Sequence, residues 1–134
     1  MTVYLCLDEK NGMLFHNRRQ SRDRVVRADI LRECAGHTLW MDAYSRGQFA
    51  PDDPAITVAE DCLGRAGEED GCFVERQALA PWVEKIGRLV IYRWNRAYPS
   101  DTRLDVSLEN WKLFSREEFS GYSHETITKE VYRK

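Results

Sequence analysis

Short apolar runs alternate with polar turns along the whole chain. Val3, Tyr4, Leu5, Cys6 and Leu7 form a near-continuous hydrophobic run, the pattern of a strand buried on both faces. After a polar stretch, Val26, Ile30 and Cys34 recur at i, i+4 and i+8 and predict a helix over 21–34, capped by Ser21 and stopped at Gly36. Residues 38–41 predict a second short strand and 56–58 a third, with a turn between them at Pro51, Asp52, Asp53 and Pro54, because proline restricts itself and its predecessor. A short helix is expected over 60–66, ending near Gly67, and a fourth strand over 72–74. Leu79, Trp82, Val83 and Ile86 share one side of an amphipathic helix over 78–86, which places Pro81 in its first turn. Residues 88–94 then form a strongly apolar strand, and the chain closes on another over 123–132. Strands interleaved with short helices predict an α/β fold: a mixed, mostly parallel sheet flanked by short helices, with a C-terminal antiparallel strand. No internal repeat or low-complexity segment interrupts the pattern.

Composition narrows the function classes. With 134 residues and 43% hydrophobic content, the chain fits one domain over 1–134 with a core of useful size. A formal net charge of -2 supplies no global positive field for nucleic acid or a membrane surface, so either partner would need a local patch. No run of about 18 apolar residues and no secretory leader pattern is present, which makes a cytoplasmic protein the expectation. Cys6, Cys34, Cys62 and Cys72 show no paired framework and read as reduced thiols.

Few motifs carry chemistry. Cys34 and His37 have a metal-compatible spacing but lack a second ligand pair, so no metal is expected. A serine nucleophile elbow, a P-loop and a G-x-G-x-x-G fingerprint are absent. Arg18, Arg19, Arg22, Arg24 and Arg27 form the one cluster suited to phosphate, since guanidinium groups offer forked donors to anionic oxygens; the competing reading is a solvated face. His124, ahead of the last strand, reads as a surface or hydrogen-bonded histidine. Trp40, Trp82, Trp94 and Trp111 read as core or pocket wall.

The order of these features carries a resemblance. The run 88–94 is followed by Asp101 and Thr102, by Trp111 in a strand-like stretch, and by a long closing strand after His124; at the start, the run 3–7 leads to Gly12 and Met13. This order resembles dihydrofolate reductases over nearly the whole chain, with a strand and its connections missing between Phe49 and Ile56. The resemblance implies a shortened domain of that fold. It also implies a carboxylate near the start of the first helix that assists protonation of a pterin, for which Asp23 and Asp29 are the candidates. Asp101 would tether the loop near Gly12. A cleft between the first helix and the sheet edge would be walled by Tyr4, Cys6, Phe15, Trp40 and Tyr92.

The cofactor side departs from that family. Its Gly-Arg-x-Thr-like segment after the second strand is replaced here by Met41, Asp42, Ala43, Tyr44 and Ser45, which keep only the Ser45 hydroxyl. Its Gly-Gly after a later parallel strand is replaced by Val74, Glu75, Arg76 and Gln77, where side chains and a negative charge stand in place of close backbone approach. The leading expectation is therefore a domain that binds a small ligand or a protein partner without NADPH or any other cofactor. A second reading keeps NADPH-dependent reduction of a pteridine or related heterocycle with Asp23 assisting. A third assigns RNA or nucleotide-phosphate binding to Arg18, Arg19, Arg22 and their neighbours. The pattern is compatible with a homodimer and gives no reason to expect a membrane partner.

Overall fold

The computed structural model describes residues 1–53 and 55–134. Its main sheet has seven strands: β1 (Thr2–Leu7), β4 (Leu39–Met41), β5 (Ile56–Val58), β6 (Gly71–Phe73), β7 (Arg88–Arg93), β9 (Lys112–Phe119) and β10 (Ile127–Arg133), ordered β5-β4-β6-β1-β7-β10-β9. The first five strands in that order run parallel, and β10 returns antiparallel between β7 and β9. A second sheet joins β2 (Gly12–Phe15), β3 (Arg18–Arg19) and β8 (Thr102–Arg103) in the order β3-β2-β8. The chain thus forms the expected mostly parallel α/β sheet with an antiparallel C-terminal strand; the small second sheet is additional. Among the described residues no strand lies between Phe49 and β5. Pro51 and Asp52 form a turn, and Pro54 lies outside the described residues.

Side chains alternate across each strand and so build two cores. Val3, Leu5 and Leu7 join Cys72, Val74, Leu89 and Ile91 on one face, covered by Leu63, Leu79, Ile86 and Trp111. Tyr4, Phe73, Val90, Tyr92 and Trp94 occupy the other, under Val26 and Ile30 of α1 (Arg24–Glu33) and Cys34, which caps its C-terminus. The apolar stripe read from the sequence is thus the packed face of that helix, but its cap is Asp23, whose carboxylate accepts from Val25 N at 2.9 Å, instead of Ser21. Two short helices follow, α2 (Ala43–Arg46) and α3 (Cys62–Arg65).

The amphipathic helix expected over 78–86 is a 3-10 segment, Ala80–Lys85. The Asp105 carboxylate fixes its entry by accepting from Leu79 N and Ala80 N, both at 2.9 Å. Leu79 and Ile86 are buried as expected, whereas Trp82 is 36% exposed. Trp111 precedes its strand and does not lie in it. All four cysteines are free thiols, with the sulfurs of Cys62 and Cys72 3.3 Å apart. No described helix is long and apolar enough to cross a membrane.

Candidate functional site

In an open parallel sheet the carboxyl ends of the strands face the loops, and that edge is where ligands of such folds sit. Here the edge carries a row of buried acids: Asp42 after β4, Glu75 after β6 and Asp8 after β1. Asp8 Oδ1 accepts from Gly12 N at 2.7 Å and Lys10 N at 2.8 Å, while Oδ2 accepts from Gln20 Nε2 at 3.0 Å. Burial pushes its carboxyl pKa up, but those donors together outweigh it and hold the group below its ordinary value. Any Cβ at Gly12 would lie 2.7 Å from Asp8 Oδ2 and 2.8 Å from both Gln20 Nε2 and Ser100 Cβ, so this corner requires glycine.

Glu75 organises the β4–β6 side. One carboxylate oxygen accepts from Arg19 Nη2 at 3.1 Å and from Ser45 Oγ at 2.8 Å, and the other accepts from Arg19 Nε at 2.9 Å. The Arg19 guanidinium also donates to Tyr44 O and stacks over the Tyr44 ring, 4.2 Å from its centroid; Arg76 approaches the same ring at 4.7 Å. Asp42 caps α2 through Ser45 N at 2.8 Å, and its second oxygen accepts from Gln77 Nε2 at 2.6 Å. The Glu75 carboxylate thus holds Arg19 and Ser45, and Asp42 holds the start of α2 and Gln77.

The β1–β7 side is open. A cleft of about 490 Å³ is lined by Phe15, His16, Arg18, Arg19, Gln20, Tyr98 and Pro99. Its outer wall is the β2–β3 hairpin, whose loop residues His16 and Asn17 have φ of 51° and 59°, the geometry of a two-residue type I′ turn. Phe15 and His16 stack with centroids 4.0 Å apart. Arg18 is exposed, and the Gln20 Oε1 atom is buried with no hydrogen-bond partner among the described residues.

Behind Tyr98 lies a buried histidine. His124 Nε2 is 3.1 Å from both Tyr98 Oη and Ser21 Oγ; its Nδ1 is 3.0 Å from Asp23 Oδ2, and the ring stacks on Trp94 at 4.5 Å. Asp23 accepts further bonds from Val25 N, Tyr122 N and Ser123 N, each at 2.9 Å. Burial opposes its ionisation, yet the Tyr122 amide, His124 and the Ser123 and Val25 amides hold its carboxyl far below the ordinary range. Gly121 permits this wrap, since a Cβ there would lie 2.7 Å from Asp23 Oδ2.

The residues expected to form a site are separated. Asp23 accepts from three backbone amides and faces His124, surroundings that hold it as a carboxylate and leave its expected part in protonating a pterin without a pterin-facing position. Tyr4, Cys6 and Tyr92 face α1, and the Tyr92 hydroxyl donates to Asp29 at 2.6 Å. Asp29 is itself paired with Lys129 at 2.8 Å and with Arg32. Trp40 packs on the opposite core and donates to Asp70, while Phe15, 40% exposed, belongs to the hairpin. The expected cleft between α1 and the sheet is therefore filled core.

Asp101 does tether the hairpin, but through His16 N at 3.0 Å; Gly12 N is held by Asp8. In the basic segment, Arg19 is bound to Glu75, Arg24 stacks on Tyr122 at 3.6 Å, and Arg18 and Arg22 are exposed. Glu75 entered the sequence reading only as a lost glycine. Gln20 and Tyr98 carry no local signal beyond being polar residues between elements, and Ser21 reads in the sequence only as a helix cap.

No protein family's sequence pattern matches the chain, and no curated protein matches it. Solved structures do. The chain superposes on a dihydrofolate reductase from Enterococcus faecalis, complexed with NADP(H) and RAB-propyl, at a TM-score of 0.67 and 9% identity, covering 98% of this chain and 94% of that one. The protein has a dihydrofolate reductase-like fold.

Proposed function

We propose that this chain is a ligand-binding domain that has lost NADPH-dependent reduction and takes a small anionic, ring-bearing ligand in the cleft between the β2–β3 hairpin and Tyr98. The observation that carries the reading is the Glu75 centre. A dinucleotide pyrophosphate needs backbone amides and unspent positive charge at the carboxyl ends of the strands. Glu75 and Asp42 bring negative charge there, and the Arg19 guanidinium is turned onto Glu75 and Tyr44 through Nε and Nη2. The residues present do not fit that cofactor.

The open cleft has the opposite character. Its Phe15, His16 and Tyr98 rings offer stacking surfaces, and Arg18 supplies an exposed guanidinium. Such a lining suits a planar anion. The same reading places one domain over residues 1–134 in the cytoplasm, with a small molecule as its partner.

Mixing the purified chain with NADPH and dihydrofolate should give no NADPH oxidation above the rate without protein. Native mass spectrometry of the chain isolated from its own cells should show a bound small anion that Arg18→Ala releases. Turnover of NADPH would favour the reductase reading instead, and retention of the same anion by Arg18→Ala would place the ligand elsewhere.

A further inference from the structure

One cluster is used by neither the cofactor argument nor the cleft's charge. Ser21, His124 and Asp23 form a continuous line: serine hydroxyl to Nε2 at 3.1 Å, then Nδ1 to carboxylate at 3.0 Å. The His124 and Asp23 side chains are 2% and 0% exposed, and Ser21 is half-buried. Asp23 is ionised and only accepts, so the ring hydrogen lies on Nδ1 and the Nε2 lone pair faces the two hydroxyls. That is the tautomer a general base needs. Trp94 against the ring and the three amides on Asp23 lock the orientation. Because Ser21 Oγ and Tyr98 Oη both lie 3.1 Å from one nitrogen, Ser21 is directly beside a residue that lines the cleft.

We propose that Ser21, His124 and Asp23 form an acyl-transfer site, with Ser21 as nucleophile, that hydrolyses carboxylic esters whose acyl group lies in the Tyr98 cleft. Ser21 Oγ bonds to the carbonyl carbon as its proton passes to His124 Nε2, and Asp23 holds the imidazolium through Nδ1–H. Once Nε2 carries that proton it no longer accepts from Tyr98, whose hydroxyl is released to donate to the developing oxyanion. The ester C–O bond breaks, and the leaving alkoxide takes the proton from His124. A water molecule then gives a proton to the same nitrogen, attacks the acyl-serine carbonyl and displaces Ser21 Oγ, which recovers the proton. Ester and water become acid and alcohol, with no oxidant or reductant.

The proposal rests on the binding reading only for the location of the acyl group. Its test uses a short alkyl fluorophosphonate, which reports an activated serine without needing the natural ester. Incubation with the full chain, followed by intact-mass and peptide analysis, should give one adduct, on Ser21. Ser21→Ala should keep the wild-type melting temperature and slow labelling at least about 100-fold. No adduct on the folded wild-type chain, an adduct mapped to another residue, or unchanged labelling of Ser21→Ala would overturn the proposal. The two readings fail separately: a bound small anion with no Ser21 adduct would overturn only the acyl-transfer site, and a Ser21 adduct with no bound anion would overturn only the binding reading.

Discussion

The two halves of the sheet's carboxyl edge differ in what their charges are doing. On the β4–β6 side, Glu75, Arg19, Ser45, Asp42 and Gln77 are bound to one another around two buried carboxylates, and Arg76 lies against the Tyr44 ring. On the β1–β7 side, Asp8 and Asp23 are equally saturated, but they hold a hairpin and a histidine beside a cleft lined by Arg18, Gln20 and Tyr98. Both halves use buried carboxylates as organisers. The difference lies in whether the organised groups are turned inward or toward space. A binding function can therefore move along one edge of a fold without changing the strands that support it.

The largest expected effect comes from removing the deepest organiser. Asp23→Ala leaves the Val25, Tyr122 and Ser123 amides without their acceptor and should destabilise by about 3–5 kcal/mol in a urea titration. The pH dependence has a definite sign. Because the folded-state pKa of Asp23 is lowered, its stabilisation is fully present above the unfolded value of about 4 and is lost as pH falls below it. Asp23→Asn should flatten that acid limb of the stability curve; an unchanged limb would remove Asp23 from its central position.

Glu75→Ala attacks the closed half. It strips the half-buried Arg19 guanidinium of its bidentate partner and should cost about 2–3 kcal/mol, less than the loss of Asp23 because Arg19 keeps Tyr44 O and part of its hydration. An equal or larger loss would mean that the closed half carries more of the fold than the Asp23 centre.

Smaller effects belong to the hairpin. Asp101→Ala breaks one solvent-exposed bond to His16 N and should shift stability by less than about 1 kcal/mol, measured as a change in melting temperature. Arg18→Ala should change stability by no more than about 0.5 kcal/mol while weakening the salt-sensitive binding of an anion. A large loss of stability in either variant would make the hairpin a structural element rather than a cleft wall.

Much of the frame was legible because it is local. The stripe Val26, Ile30 and Cys34 has the helical period, and the run from Val3 to Leu7 has the continuity of a strand buried on both faces. What escaped depends on register and on distant contacts. Trp40 pairs with Cys72, which pairs with Val3, so Trp40 shares a face with Val3 and not with Tyr4. No sequence pattern states that pairing. The choice of Asp23 over Ser21 as helix cap is likewise settled by the 121–124 segment, about a hundred residues away along the chain, whose amides and histidine claim both side chains. The strands β3 and β8 are two residues long, too short to show alternation. The departures at Asp42 and Glu75 were visible as residues, but their pairing with Gln77, Arg19 and Ser45 follows only from three elements meeting at one edge.

The closure of the β4–β6 edge is tested most directly by calorimetric titration of the intact chain with NADPH. The Glu75 network predicts no saturable heat at micromolar cofactor, in Glu75→Ala as well as in the wild type, because Asp42 remains and the chain still lacks the glycine pair. Saturable wild-type binding at micromolar concentration, abolished by substitution of Ser45 or Arg76, would contradict the account and return the edge to a dinucleotide.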